Sequence, residues 1–347
     1  MIEGIIPLLL RSTTSLSKEE IDVLKHEYLK IGRDTIDAYL IKNKQMRPFA
    51  AQAFVVANCD VEYWNSVHQS YVNRNTKILD VLVDIFWDFE NAGGKILCVY
   101  ENFGAVLSSR ESIVCFASGD VDFSVNEDEE WLAIDVLKKH GFILNIRKDH
   151  ASVSTKLLLP FFNPNAFDGD GYWLNIMRKP ICRNFMCVQG KYNKRLSVLR
   201  ASSTEKYKET PVQLLNPTPM VYYNALHFAC EHHYSASPGI ALCCDVDRIV
   251  RVREIDWKLL ARWCKEDDAG LRILLVLDIC NYFLKTPVPL EVFGEESENY
   301  KRLRSKIIDT EKGILVPQIG KTARLTTELA SDDLPMAFSL ISRLWRR

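Results

Sequence analysis

Apolar residues recur at helical spacing through most of the first ninety residues. Between residues 17 and 31 they repeat every three or four positions, after Ser17 and an acidic first turn. The same spacing runs from residue 66 to residue 91, where Gly93 and Gly94 follow. We predict helices over both stretches, with the second beginning near Asp60.

The pattern changes in the centre of the chain. A compact apolar run over residues 95–100 predicts a buried strand, and residues 103–107 predict a short helix. Asn126 is placed to cap a helix that begins with an acidic first turn and ends at Gly141. Three further stretches predict strands, namely 142–147, 153–159 and 172–177. We therefore predict a mixture of helices and strands in the centre of the chain.

Helical spacing returns after Pro217 and continues to Pro287. A segment rich in Lys, Arg, Ser and Thr separates the two patterns, and we interpret it as a linker or an exposed excursion. Its two tyrosines are too few for a nucleic-acid stacking platform. The predicted division is an N-terminal helical region, an α/β core, a polar segment and a C-terminal helical domain, over residues 1–92, 93–190, 191–210 and 211–347.

Composition narrows the class of protein. The 347 residues are 47% hydrophobic, and 44 basic side chains nearly cancel 45 acidic ones, so no overall field recruits nucleic acid or an anionic membrane. The ten cysteines include no C-x-x-C pair, which argues against a zinc site or a disulfide framework. The apolar opening run lacks a basic start, and no stretch approaches about 20 apolar residues. We expect a cytoplasmic protein.

The candidate chemistry lies on one predicted strand, residues 118–126. Side chains alternate along a strand, so Asp120 and Asp122 share a face with Cα atoms roughly 7 Å apart. Two carboxylates at that spacing can hold Mg²⁺, and Gly119 leaves room for a ligand to approach the backbone. The alternative is that these polar residues form the solvent-facing side of an ordinary half-buried strand.

The order of these elements resembles the nucleotidyltransferase superfamily with a DNA polymerase β-like core, and more narrowly a bacterial family of uncharacterised nucleotidyltransferases. The resemblance covers about residues 60–295. It rests on these stretches: Asn73-Arg74, Leu97 to Tyr100, Gly119 to Val125, Gly141-Phe142, Leu226-His227, His232-His233, Asp245-Val246 with Arg248, Ile255 to Trp257, and Pro287 to Pro289. It implies an α+β fold, with a small mixed sheet flanked by N-terminal and C-terminal helical regions.

The resemblance also implies a reaction. Paired aspartates in that superfamily bind a divalent metal that bridges the nucleotide phosphates, and a third carboxylate on a later strand assists. We therefore expect Asp120 and Asp122 to bind Mg²⁺ or Mn²⁺, with Gly119, Ser118 and Ser124 near a nucleoside triphosphate. The acceptor is unknown and could be a small molecule, a sugar, a peptide or a protein.

Three positions depart from the family pattern. Glu101-Asn102 stands where a lysine-glycine pair is usual, and Phe116 where an arginine is common. The later strand carries Trp173 to Ile176 in place of its carboxylate. Asp168 and Asp170 could replace the missing carboxylate. Arg110, Lys148 or Lys156 could supply the missing positive charge.

These departures leave two hypotheses open. The first is metal-dependent transfer of a nucleotidyl group from a nucleoside triphosphate. The second is a catalytically degenerate fold that acts as a binding or scaffold protein. We interpret His227 and His232 as packing or hydrogen-bonded histidines rather than as metal ligands.

Overall fold

The computed structural model describes most of the chain. The described residues are 2–11, 16–109, 116–117, 119–145, 158–166, 171–181, 186–199, 203–208, 210–235, 240–294, 297–310 and 314–316.

The N-terminal region is helical, as the apolar spacing predicts. Its helices are α1 (Ile6–Leu10), α2 (Lys18–Ile31), α3 (Arg33–Lys42), α4 (Arg47–Val56) and α5 (Val61–Asn91). The predicted start of α2 is confirmed. The Ser17 hydroxyl accepts from the Glu20 backbone N–H at 3.2 Å, and the Glu20 carboxylate accepts from the Ser17 N–H at 2.9 Å.

The described residues also form a seven-stranded mixed sheet. Its strands are β1 (Leu97–Val99), β2 (Asp120–Val125), β3 (Ile143–Leu144), β4 (Leu158–Asn163), β5 (Tyr172–Met177), β6 (Ser203–Tyr207) and β7 (Thr210–Leu214). They lie in the order β3, β4, β5, β2, β1, β7, β6. The helix α6 (Glu101–Ser109) comes after β1, and α7 (Glu130–Lys139) comes after β2. The predicted α+β class is confirmed.

Strand β2 lies at the centre of this sheet. It pairs parallel to β5, with Asp122 opposite Asn175, and antiparallel to β1, with Phe123 opposite Val99. Its apolar residues are buried as predicted, and their burial holds the polar face of the strand toward the opposite side of the sheet.

The C-terminal half is mainly helical. Its helices are α8 (Met186–Leu199), α9 (Pro217–Cys230), α10 (Ile240–Val252), α11 (Trp257–Asp267), α12 (Gly270–Leu284) and α13 (Glu298–Ile307). Two short strands, β8 (Ile308–Asp309) and β9 (Ile314–Leu315), pair with each other. Asp256 caps α11 by accepting from the Leu259 N–H at 2.8 Å. Helices α6, α9 and α10 contact one another, which brings the C-terminal half against the start of α6.

The described residues of the polar segment 191–210 belong mostly to α8 and β6. Tyr192 and Leu196 of α8 are buried, and β6 shows the alternating partial burial of an edge strand. Lys191, Lys194 and Lys206 are exposed, whereas Arg195 and Glu205 are half-buried and form ion pairs with Asp267 and Arg253. The proposed division of the chain into four regions stays a prediction.

Two local expectations are corrected. The Asn126 side chain does not cap a helix; its amide donates to Glu129 at 3.0 Å, and a 3-10 turn over Glu127–Glu129 precedes α7. The strand expected over residues 142–147 is limited to Ile143–Leu144 among the described residues. The predicted strand over 153–159 lies mainly outside them, and β4 begins at Leu158.

Gln213 joins the segment after residue 210 to the central sheet. Its side-chain carbonyl accepts from the Leu97 N–H at 2.8 Å, and its amide donates to the Lys95 carbonyl at 2.6 Å. Gln213→Met should remove both bonds and lower the free energy of unfolding by about 1–3 kcal/mol, measured by urea denaturation.

The matched control is Gln69→Met on the exposed side of α5, where the amide bonds only Asn73, at 2.9 Å. We expect it to change stability by less than about 0.5 kcal/mol. Equal effects of the two substitutions would contradict the role given to Gln213.

Candidate active site

The polar face of β2 carries two aspartates that share one hydrogen-bond donor. The Asn175 amide nitrogen donates to Asp120 Oδ2 at 3.1 Å and to Asp122 Oδ1 at 2.8 Å. Asn175 reaches both because β5 runs parallel to β2 and places it opposite Asp122. Asp122 and Asn175 are buried, whereas Asp120 is partly exposed. The carboxylate pair is thus held in place by a neutral amide.

The neighbouring strand also fixes the backbone of the pair. The Tyr172 hydroxyl donates to the Asp120 carbonyl at 3.0 Å, and the Trp173 N–H donates to the Gly119 carbonyl at 3.4 Å. The Arg74 guanidinium lies 5.4 Å from the centre of the Tyr172 ring. These contacts anchor the first residues of β2 to β5.

A third carboxyl group approaches the pair from the end of β1. The backbone N–H of Tyr100 donates to the Asp122 carbonyl at 2.9 Å, which brings the next residue, Glu101, beside Asp122. The Glu101 carboxyl lies within hydrogen-bonding reach of the Asp122 carboxylate. Burial, followed by the negative charges of Asp122 and Asp120, raises the pKa of Glu101 well above its ordinary value.

The same environment changes the pKa of Asp122. Burial and the nearby Asp120 charge raise the pKa of Asp122 to about 7, although hydrogen bonds from Asn175 and Glu101 favour its charged form. Among the described residues, neither Asp122 nor Glu101 has a lysine or arginine within ion-pair distance. The raised pKa values of both groups favour protonation, which lowers the negative charge at this site.

Helix α9 faces Glu101 with two polar side chains. His227 Nε2 lies 3.8 Å from a Glu101 carboxyl oxygen, and His227 Nδ1 is 3.0 Å from the Tyr223 hydroxyl. The Tyr223 ring packs on Tyr100 with centroids 4.7 Å apart, and the His232 ring lies 5.0 Å from that of His227. His227 is hydrogen-bonded, as expected, but it also stands next to the carboxyl cluster.

Two more acidic groups act on the cluster from a distance. Asp245 of α10 adds to the negative field at Glu101, but its carboxylate is paired with Arg248 at 3.0 Å. Glu231, just after α9, adds to the negative field at Asp122. The charges around Asp120, Asp122 and Glu101 therefore remain predominantly negative.

The proposed ligand-contacting residues have different surroundings. The Ser124 hydroxyl is buried and lies 2.7 Å from the Tyr100 hydroxyl, so it is already engaged inside the protein. Gly119 borders open space, because a Cβ added there would meet no described atom within 4 Å. Ser118 lies outside the described residues. Contacts of these three residues with a nucleotide stay predictions.

Comparison with known proteins decides the family. A family model described as an uncharacterised nucleotidyltransferase matches residues 51–285, which is more than half of the chain. The chain belongs to this nucleotidyltransferase family. No curated protein and no solved structure gives a significant match. The matched region includes the acidic strand β2, its partners β1 and β5, and helix α9.

The structure shows what stands at the three positions where the chain departs from the nucleotidyltransferase pattern. Phe116, at the position expected for arginine, is buried and packs edge-on against Phe103 with ring centroids 4.7 Å apart. Asn175 gives β5 an amide beside the aspartates. Sequence reasoning treated Glu101 only as a lost phosphate-binding base and missed its place among the carboxyl groups. The other named substitutes, Asp168, Asp170, Arg110, Lys148 and Lys156, lie outside the described residues.

A sequence signal for Glu101 did exist. The run 95–100 and the acidic strand were both predicted as strands of one sheet, and antiparallel pairing places the end of one beside the start of the other. A carboxylate directly after β1 was therefore a candidate neighbour of the aspartates. Pairing partners cannot be read from either strand alone, which is why this position escaped notice.

The described part of the chain contains no helix long and apolar enough to cross a membrane.

The raised pKa of Asp122 predicts a pH-dependent stability. Below about pH 4 both the folded and the unfolded state hold the proton, whereas between about pH 4 and pH 7 only the folded state retains it. Stability without metal should therefore fall as the pH rises through this window. Asp122→Asn removes this titration and should raise the free energy of unfolding at pH 8 by about 1–3 kcal/mol.

Urea denaturation at pH 5 and at pH 8, in the presence of a chelator, measures this difference. The control Asp135→Asn removes an exposed carboxylate of α7 and should follow the parent at both pH values. If Asp122→Asn were less stable than the parent by the same amount at both pH values, the carboxylate would hold a structural hydrogen bond that the amide cannot replace.

Proposed function

We propose that the protein transfers a nucleotidyl group from a nucleoside triphosphate to an unknown acceptor, with Asp120 and Asp122 as ligands of Mg²⁺ or Mn²⁺. Membership of the nucleotidyltransferase family supports the reaction class. One observation carries the site assignment: both carboxylates lie on one face of a central strand and accept hydrogen bonds from a single amide.

The chemistry of the side chains fits a hard divalent cation. Mg²⁺ and Mn²⁺ prefer carboxylate oxygens, and Asp120, Asp122 and the nearby Glu101 provide them. Among the described residues, no three Asp, Glu, His or Cys side chains already converge at coordinating distances. In the structure the Glu101 carboxyl faces Asp122.

A bound divalent cation would supply charge neutralisation for the phosphate oxygens of the nucleotide. Asn175 orients the carboxylates of Asp120 and Asp122 by donating to one oxygen of each. The open space beside Gly119 admits a phosphate close to the backbone. Ser118 and Ser124 complete the proposed nucleotide-contacting set, and Ser124 would have to exchange its bond with the Tyr100 hydroxyl for one with the nucleotide. The acceptor class, whether small molecule, sugar, peptide or protein, is not distinguished by these residues.

A second candidate function has its own supporting observations. Phe116 fills the arginine position with a buried ring, and Glu101 can satisfy Asp122 without a cation. Both features suit a nucleotidyltransferase fold that has lost transfer chemistry and acts as a binding or scaffold protein. We also propose a polymerase β-like ancestry, a bacterial origin and a cytoplasmic location.

The double substitution Asp120→Asn with Asp122→Asn tests the proposal. It should abolish metal-dependent binding of nucleoside triphosphate, because two neutral amides replace the anionic ligands. Isothermal titration calorimetry with ATP, GTP, CTP and UTP, each with Mg²⁺, measures the binding. The melting temperature without metal should stay unchanged or rise, since the substitution removes like charges.

Asp128→Asn with Asp135→Asn is the matched control, because it removes two exposed carboxylates close to the site in sequence. It should bind as the parent does. Metal-dependent binding by the parent that survives the site double substitution would refute the assignment of Asp120 and Asp122. No binding of any triphosphate by the parent at millimolar concentration would favour the scaffold function.

A further inference from the structure

We propose that Glu101 is the third metal-facing carboxylate of the site, supplied from the end of β1 rather than from β5. The inference rests on the proposed function and adds a ligand to it. In this arrangement Glu101 stands where the family usually has a base after β1, and it supplies the carboxylate that β5 lacks. Asn175 holds the aspartate pair, and Glu101 occupies the side of the pair where the family pattern has a positive charge.

The backbone directs Glu101 into the cluster. Glu101 and Asn102 form a turn between β1 and the regular part of α6, where Asn102 has φ 17° and ψ −87°, and the Gly104 N–H donates to the Tyr100 carbonyl at 3.3 Å. A Cβ at Gly104 would lie 2.9 Å from the Val99 carbonyl oxygen, so only glycine permits this close turn. Glu101 itself has a φ of 28°, an unfavourable value for a residue with a side chain. Such strain is concentrated at functional sites.

The location of the side chain is that of a ligand rather than of a surface charge. The Glu101 side chain is 12% exposed, and it faces the Asp122 carboxyl on one side and His227 on the other. Burying several carboxyl groups together is costly unless protons or cations compensate them. If the side chain had only a structural role, a neutral amide could form hydrogen bonds here without the cost of burying another carboxyl group.

His227 approaches Glu101 from the helical half of the molecule. The imidazole lies with Nε2 toward Glu101 and Nδ1 toward the Tyr223 hydroxyl, and Tyr223 packs on Tyr100, the residue before Glu101. When the Tyr223 hydroxyl donates to Nδ1, the proton of the neutral imidazole is on Nε2 and faces the Glu101 carboxylate. Helix α9 thereby connects the C-terminal half to the proposed metal ligands.

The substitution Glu101→Gln separates a metal ligand from a structural hydrogen-bond donor. Glutamine has nearly the same shape and can still donate to Asp122, but it lacks the negative charge. We expect it to weaken Mn²⁺ binding by at least about tenfold, the loss that even a hydrogen-bond partner of a metal ligand can cause. The melting temperature in metal-free buffer should be close to that of the parent. Electron paramagnetic resonance titration with Mn²⁺ alone measures the affinity.

Glu231→Gln is the matched control. Glu231 also adds negative potential at Asp122, but it is not among the groups that hydrogen-bond to Asp122. If charge alone mattered, the two variants would weaken Mn²⁺ binding similarly; a ligand role predicts a much smaller loss for Glu231→Gln. Parent-like Mn²⁺ affinity in Glu101→Gln would overturn the proposal, and so would equal losses in the two variants.

Two further comparisons keep the outcome interpretable. If the aspartate double variant loses Mn²⁺ binding and Glu101→Gln does not, the third-ligand proposal fails while the proposed function stands; if neither loses it, the proposed function fails. Should Glu101→Gln not fold, Glu101→Asp retains the charge on a shorter side chain. It should bind Mn²⁺ several-fold more weakly than the parent, and parent-like affinity in a folded Glu101→Asp would overturn the proposal.

Discussion

The site depends on how three carboxyl groups are kept together inside a folded protein. Two full charges about 5 Å apart repel by about 3 kcal/mol at an effective dielectric of about 20. A hydrogen bond to a charged group contributes about 1.5–3 kcal/mol, so the two bonds from Asn175 can offset the repulsion between Asp120 and Asp122. They cannot also offset two further repulsions from Glu101. The third group must be neutralised, and a shared proton or a divalent cation can do so.

The rest of the architecture serves this constraint. Burial of the apolar face of β2 sends its aspartates to the opposite face, and parallel pairing with β5 brings Asn175 to them. Antiparallel pairing with β1 brings Glu101 to the same point, and helix α9 adds His227. Segments far apart in sequence therefore meet at one end of the central strand. The matched nucleotidyltransferase region contains all of them.

Sequence patterns predicted those parts of the fold that depend on local chemistry. The apolar spacing and Ser17 defined α2, and the alternation around Asp120 and Asp122 defined β2, because periodicity and capping depend on near neighbours. Asn126 does not cap α7 because a 3-10 turn over Glu127–Glu129 separates it from the start of that helix. The place of Glu101 depends on which strands pair, and that information is distributed over distant segments of the chain.

The central claim is that a divalent cation bound to Asp120 and Asp122 compensates their negative charge and holds a triphosphate. Crystals soaked with Mn²⁺ and a non-hydrolysable nucleoside triphosphate analogue test it through anomalous scattering. The account predicts a Mn²⁺ peak about 2.0–2.3 Å from oxygens of both aspartates, in contact with the phosphates. A bound nucleotide with its Mn²⁺ away from β2, or with the Glu101 to Asp122 contact intact and no metal beside it, would contradict it.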